Sequence, residues 1–270
     1  MGDLIVIPAR FGSKRLPGKP LIPIAGRTLL ERVVNVARQA ARLADGIDIV
    51  VATDDDRIRA HAATLGVEAV MTAATITSGT GRALAAALAR AIAPEIVVNL
   101  QGDAPFVPPS AIVALLRAAR ESRAAVATPV VRLGWDELDA MRRHKGDTPF
   151  SGTTCIRAQD GRALWFSKAI IPAIRDEPAL RASTPLSPVL RHLGLYAYRL
   201  DALRRFEDAP PSRYEALEGL EQLRFLELGL DVMAIDIPPP PHAMSGIDTR
   251  ADVALAEAAI HAAGDPFVPL

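Results

Sequence analysis

The sequence predicts an α/β protein built on a mostly parallel sheet, and three features carry that prediction. Runs at 4–7 (LIVI), 47–52 (IDIVVA) and 96–100 (IVVNL) are apolar and β-branched almost throughout, the pattern of strands buried on both faces. Helical segments alternate with them, as in β–α–β units. Each run also stops abruptly at a polar or glycine-containing cluster. Ligands of such sheets sit beyond the carboxyl ends of the strands, so the 10–19 loop, 53–56 and 101–103 are expected on one rim.

Residues 4–7 form the first strand, and 28–43 follow as an amphipathic helix. Strand 47–52 ends at Thr53-Asp54-Asp55-Asp56. That cluster caps a helix over 58–65, and Gly66 stops it. A short strand (67–71) and an Ala-rich helix (81–92) precede the strand at 96–100, which ends at Gln101-Gly102-Asp103. Helix 109–122 and strand 124–130 complete the alternation. From about Leu133 the rhythm changes: strands at 151–157 and 163–166, then an irregular stretch at 170–186 with three prolines. An alternating, half-buried strand is expected at 192–199, a strong helix at 217–228 and a strand at 231–237. Pro238 to Pro241 cannot join a sheet interior and reads as a rigid connector. Asp248-Thr249 opens a last helix, 251–262. The second half reads as an insertion that packs beside the first sheet.

The 270 residues suffice for a large core, in one domain or two. Half are apolar, and 31 basic residues balance 31 acidic ones. No global field draws in nucleic acid or an anionic membrane, so any anion site is local. Cys155, the one cysteine, excludes an intrachain disulfide and a cysteine-based zinc site; it reads as a strand residue. The short 4–7 run is no signal peptide, and no apolar run reaches the ~20 residues of a membrane span. A soluble cytoplasmic protein is expected.

The chemistry concentrates after the first strand. Four cations, Arg10, Lys14, Arg15 and Lys19, are threaded with Gly12 and Gly18 through a loop directly behind Pro8. This is an arrangement for a polyanion. It lacks the spacing of a P-loop or a dinucleotide fingerprint, so phosphate is held mainly by side-chain charge, helped by backbone N–H groups. Asp103, at the rim behind a buried strand, suits an oxygen-ligated Mg²⁺ bridging to phosphate, or else a turn or cap. Asp248 is a second oxygen ligand or an N-cap. Ser78-Gly79-Thr80-Gly81-Arg82 permits close approach of a base or ribose, or is a capping turn. Asp54 to Asp56 read as the cap of the following helix rather than a metal site. His192 and Tyr196, four apart in a strand, share a face as core or site residues. Glu218, Glu221 and Gln222 share a helix with four leucines, mostly as a solvated face; one turn of them could line a cleft.

Taken in order, IPARFGSKRLPGKPL (7–21), VATDD (51–55), SGTGR (78–82), VNLQGDAPFVPP (98–109), ALWFSK (163–168), RHLGLYAYR (191–199), LEQLR (220–224) and SGIDT (245–249) resemble the 3-deoxy-manno-octulosonate (Kdo) cytidylyltransferases, the CMP-Kdo synthetases. The resemblance spans nearly the whole chain, and its first motif is the most specific. It implies a Rossmann-like nucleotide-binding sheet of the nucleotide-diphospho-sugar transferase type. Residues 1–132 and 231–270 would be that core, and 133–230 a smaller α+β lobe for sugar binding and dimerisation. The implied reaction joins CTP to a 3-deoxy-2-ulosonic acid, giving a CMP-sugar and pyrophosphate. Arg10, Arg15 and Lys19 would clamp the triphosphate, and Asp103 and Asp248 would hold Mg²⁺. The cytidine pocket maps onto Ala9, Ser78, Arg82 and Gln101, and with Arg10 and Lys19 these make up the CTP site. The sugar pocket maps onto Lys168, His192, Tyr196, Glu221 and Gln222. A cytoplasmic homodimer serving lipopolysaccharide or capsule assembly is implied, with CTP and a small acidic sugar as partners and neither nucleic acid nor membrane.

The chain departs from that family pattern at several positions. Gly81 stands where an acid is usual, Ile76 where a His is usual, and Ala104 replaces the acid of GDEP. Lys168 replaces the Arg of FSR, exchanging a bidentate fork for a point charge. Thr153-Thr154-Cys155 replace a Val-Lys-Val strand. These departures lie toward sugar and base. They leave open a different acidic acceptor (a modified octulosonate, a nonulosonate or another) or a catalytically silent nucleotide-binding paralogue.

Overall fold

The structure is a computed structural model that describes residues 2–13, 15–240 and 246–269; Lys14, Pro241 and Ser245 lie outside the described residues. The first strand, β1 (Asp3–Pro8), leads through a loop and a single 3-10 turn at Lys19–Leu21 to a two-stranded ribbon, β2 (Pro23–Ile24) and β3 (Arg27–Thr28). Helix α1 (Leu29–Leu43) starts where Thr28 Oγ1 accepts the Glu31 N–H at 3.1 Å. Then follow β4 (Ile47–Thr53), α2 (Asp56–Thr64), β5 (Glu68–Met71), α3 (Gly79–Leu88), β6 (Ile96–Asn99), α4 (Pro109–Glu121) and β7 (Val126–Gly134). Asp55 caps α2 through the Arg57 N–H and Ser78 caps α3 through the Gly81 N–H, as the acidic cluster and small-residue loop predict.

Beyond β7 come α5 (Trp135–Asp147), β8 (Thr153–Arg157), β9 (Ala163–Ser167), α6 (Glu177–Ser183), β10 (Leu186–His192), β11 (Tyr196–Arg199), α7 (Leu200–Asp208), α8 (Arg213–Glu218), α9 (Gln222–Glu227), β12 (Val232–Asp236) and α10 (Arg250–Ala263). Two expectations are corrected here. The strand expected over 192–199 is two strands, β10 and β11, turned at 193–195. The helix expected over 217–228 is broken at Gly219, whose φ of 64° ends α8 in the left-handed region. Glu218 therefore sits on a different helix from Gln222. Helix α6 also lies within the stretch expected to be irregular.

Among the described residues one 10-stranded sheet runs β5-β4-β1-β6-β11-β7-β10-β8-β9, with β12 also on β7. It is parallel from β5 to β6, and β12 runs parallel to β7; β11, β10, β8 and β9 join antiparallel. Because β11 lies between β6 and β7, the second half of the chain extends this sheet instead of packing beside it. The continuous apolar run of β1 is explained by its two faces. Ile5 and Ile7 pack with Val33 of α1 and Ile112 of α4, whereas Leu4 and Val6 pack with Ala83 and Ala86 of α3. Each buried aliphatic side chain contributes about 1.5–3 kcal/mol.

The chain leaves β1 toward β4 on one side and returns to β6 on the other, so the strand order reverses at β1. That switch point opens a crevice at the carboxyl ends of β1 and β6. Gly102 closes its floor: a Cβ there would lie 2.3 Å from the Pro8 carbonyl oxygen, a backbone atom that cannot swing aside. Gly102→Ala is expected to cost about 3 kcal/mol or more, read as a lower urea midpoint with unchanged slope. Wild-type stability for this variant would show that the two strand ends are not locked together.

Candidate active site

The loop after β1 folds back on itself to present its cations. The Gly18 N–H donates to the Phe11 carbonyl at 3.1 Å, and Gly18 takes φ 70°, with the Phe11 ring 3.3 Å from where a Cβ would be. Lys19 follows at once, in the 3-10 turn. Its Nζ lies 2.6 Å from Asp103 Oδ2 and 3.0 Å from Asp248 Oδ1. Arg15 reaches the other Asp248 oxygen at 3.0 Å. Residues 84 and 229 positions away in sequence thus meet on one ammonium.

Asp248 is free to do so because it is not the cap of α10. Thr249 is, with Asp252 accepting the Asp248 and Thr249 N–H groups in return. The Ile247 N–H donates to the Asp103 carbonyl at 2.9 Å and ties the two segments together. Arg10 extends along the opposite wall and donates to the Thr77 carbonyl at 3.4 Å. Gln101 leans over Gly79, where a Cβ would stand 3.2 Å from its Oε1.

A cleft of about 460 Å³ is lined by Ala9, Arg10, Arg15, Lys19, Ser78, Arg82, Gln101, Asp103 and Asp248, with Ser13 and Thr77 among the others. Every residue expected at the phosphate, metal and cytidine positions therefore falls in one crevice. Arg82 differs from the other cations in being buried, held by Asp54 at 2.6 Å and Thr72 at 2.5 Å. Its partner Asp54 comes from the cluster read as a cap; Asp55 alone does the capping. Among the described residues no group of three or more His, Cys, Asp or Glu side chains could hold a metal ion. The two carboxylates fit Mg²⁺, a hard ion that takes one or two protein carboxylates and completes its shell with phosphate oxygens and water.

The five residues expected around a sugar do not line this cleft. Lys168 is bound at its N–H by Glu218 (2.7 Å) and at Nζ by Thr153 Oγ1 (3.2 Å), and burial lowers its pKa. Tyr196 donates to Gln222 Oε1 at 3.2 Å. Glu221 accepts from Thr80 Oγ1 at 2.6 Å and so touches the small-residue loop. His192 and Tyr196 are neighbours, ring centroids 5.5 Å apart, because the chain turns at 193–195 and β10 and β11 flank β7 on its two sides, and not because one strand carries both. Thr128 Oγ1 donates to the Leu195 carbonyl (2.9 Å) and lies 2.8 Å from His192 Nε2. With the hydroxyl hydrogen directed at the Leu195 carbonyl, the pairing favours the Nε2–H tautomer. Thr128 carried no signal in the sequence, since a threonine in a strand is ordinary; Thr80 and Thr153 lie in stretches that the sequence marks for other reasons.

A family model for cytidylyltransferases matches residues 4–234. The 3-deoxy-manno-octulosonate cytidylyltransferase of Maricaulis maris (strain MCS10) is 39% identical over 269 residues, 98% of this chain and 99% of that one. The chain belongs to this family of cytidylyltransferases. The enzyme of the same name from Xylella fastidiosa (strain Temecula1) is 41% identical, over 96% of this chain and 99% of its own. A solved CMP:2-keto-3-deoxy-manno-octonic acid synthetase complexed with CTP superimposes with a TM-score of 0.82 at 31% identity, covering 97% of this chain and 99% of that one.

Burial first, and then the charge of Lys168, push the His192 imidazole down to about 3. The unfolded chain protonates this residue near 6.5, so the fold loses stability as pH falls from about 6.5 toward 3 and gains it as pH rises through that window. NMR of labelled histidine is expected to show His192 neutral between pH 5 and 8, with Nε2 protonated; a midpoint above 5 would contradict its assignment as a buried, neutral ring.

Proposed function

We propose that this chain transfers the cytidylyl group of CTP to the anomeric hydroxyl of 3-deoxy-manno-octulosonate, releasing pyrophosphate. The observation that carries this reading is the meeting of Asp103 and Asp248 on Lys19, inside a cleft ringed by Arg10 and Arg15. The full-length similarity to enzymes of that name, one of them solved with CTP, supports it.

In the reaction, an acceptor oxygen–Pα bond forms as the bond from Pα to the bridging oxygen of pyrophosphate breaks in line. The hydroxyl proton passes to solvent water, and pyrophosphate leaves with the electron pair. Catalysis is then positioning and charge neutralisation. Arg10, Arg15 and Lys19 take the triphosphate oxygens and the charge that grows on the leaving group. Ala9, Ser78, Gln101 and Arg82 seat the nucleoside. Asp103 and Asp248 are the residues that would hold Mg²⁺, which would supply Lewis-acid and charge-neutralising chemistry when bound. Tyr196, Gln222, Glu221 and His192 orient the acceptor, and the Lys168 ammonium answers its carboxylate. In this reading, 1–132 and 231–270 serve the nucleotide and 133–230 the sugar and a homodimer contact. The enzyme works in the cytoplasm and its product feeds lipopolysaccharide or capsule assembly. No helix among the described residues is long and apolar enough to cross a membrane.

A second reading keeps the chemistry and changes the acceptor to another small 2-keto-3-deoxy acid. What favours it is Lys168, whose ammonium is spent on Thr153 where an arginine fork would reach farther, together with Ala104 and Gly81. A pyrophosphate-release assay with CTP over a panel of 2-keto-3-deoxy acids separates the two. Rapid turnover with the octulosonate is expected; turnover only with another acid would move the assignment to that acid, and release from none would leave only nucleotide binding.

Asp103→Asn is expected to lower turnover about 10³-fold or more while far-UV circular dichroism stays unchanged; wild-type turnover at saturating Mg²⁺ would remove Asp103 from the reaction. Lys168→Arg is expected to change the acceptor KM several-fold and the CTP KM little. Equal changes in both would take Lys168 out of the acceptor pocket.

A further inference from the structure

Arg191 lies in the middle of the sheet, on β10 opposite Val131 of β7 and Thr154 of β8. Successive strand residues face opposite sides. His192 packs on Phe166 and Tyr196, so Arg191 faces the other way, toward α5. There it lines a cavity of about 450 Å³ with Leu133, Glu137, Met141 and His144. The most deeply buried arginines are matched by carboxylates, Arg32 by Asp265, Arg82 by Asp54 and Arg224 by Glu215, and half-buried Arg38 is held by the Leu65 and Gly66 carbonyls. Arg191 is matched by none among the described residues, and its Nε is sealed from solvent without a partner. Burial acts on it, and the one acid that offsets this is Glu137. Glu137 is already engaged, its Oε2 accepting the Gly134 N–H at 2.8 Å.

Arg191 is half-buried, with its Nε sealed and its terminal nitrogens facing the cavity. A guanidinium cannot shed its proton to relieve the cost of this shelter, so an anion entering the cavity would be favoured there, and the planar fork suits a carboxylate or a phosphate. The volume suits a small molecule. The cavity also shares His192, Leu193 and Pro240 with a smaller apolar pocket that begins at Ala104, next to Asp103. We propose that the Arg191 cavity is a second anion-binding site, separate from the nucleotide cleft, that takes a small carboxylate- or phosphate-bearing molecule. This site stands on the orphaned guanidinium and its cavity, independently of the reaction assigned to the cleft.

The test titrates two probes, inorganic phosphate and pyruvate, into the full-length protein by calorimetry, with CTP saturating the cleft so that its cations are occupied. The wild type is expected to bind at least one probe at one site per chain and to melt at higher temperature in its presence. Arg191→Met, which keeps the apolar stem, should weaken that binding tenfold or more without changing CTP affinity. Glu137→Gln, which removes the opposing charge and retains a cap, should strengthen it several-fold. Binding of phosphate alone identifies the ligand as a phosphate, and binding of pyruvate alone identifies it as a keto acid. The proposal fails if neither probe binds the wild type at tens of millimolar, or if Arg191→Met binds as tightly as the wild type. It also fails if sedimentation velocity shows Arg191→Met altering self-association with anion affinity intact, since the guanidinium then serves a second copy of the chain. Should Arg191→Met not fold, Arg191→Lys carries the test: it keeps the charge, loses the fork and should still weaken binding.

Discussion

Two carboxylates that meet on one ammonium set the terms for everything around them. Asp103 stands just beyond β6 and Asp248 just before α10, and without Lys19 between them their like charges would repel. Arg15 takes the remaining Asp248 oxygen. The arrangement requires β1 to run beside β6 in register, Gly102 to let the Pro8 carbonyl approach, and the 247–248 segment to dock on Asp103 by a backbone hydrogen bond. The sheet order is thus the precondition of the charge pattern, because only a reversal at β1 leaves both strand ends open on one crevice.

The two sides of the candidate site are built differently. In the cleft Arg10 and Arg15 are exposed and lightly tethered. On the other side nearly every polar group is already engaged: Lys168 by Thr153 and Glu218, His192 by Thr128, Tyr196 by Gln222, Glu221 by Thr80. Polyanions are captured well by mobile cations, whereas discriminating a sugar's hydroxyls needs fixed donors and acceptors, since a buried group left unpaired is costly. An aromatic series continues that rigid side inward, from Tyr196 through Tyr198 and Phe225 to Phe206.

Strand 192–199 and helix 217–228 differ from expectation for one physical cause: a local pattern that continues across a break. Leu193-Gly194-Leu195 kept the apolar alternation of β10 going into β11, so the turn was invisible to periodicity. Leu217, Leu220, Leu223 and Leu226 kept helical spacing across Gly219, although a glycine at positive φ stops α8. The polar α5, reading WDELDAMRRHKGD, offers too narrow an apolar stripe to announce a helix. Asp248 suits a cap by residue type, but Thr249 does that work.

What the chain carries locally is therefore its parallel half, its helix caps and the charge chemistry of the loop after β1. Apolar runs, capping side chains and threaded cations act over a few residues, and their identity alone shows what they do. Tertiary structure decided which of those residues meet. It brought Asp248 to Lys19 across 229 positions, laid β11 between β6 and β7, buried His192 so that it stays neutral, and left Arg191 without a carboxylate among the described residues. Such pairings depend on strand order and register, which arise from packing many elements at once and leave no trace in the spacing of any one of them.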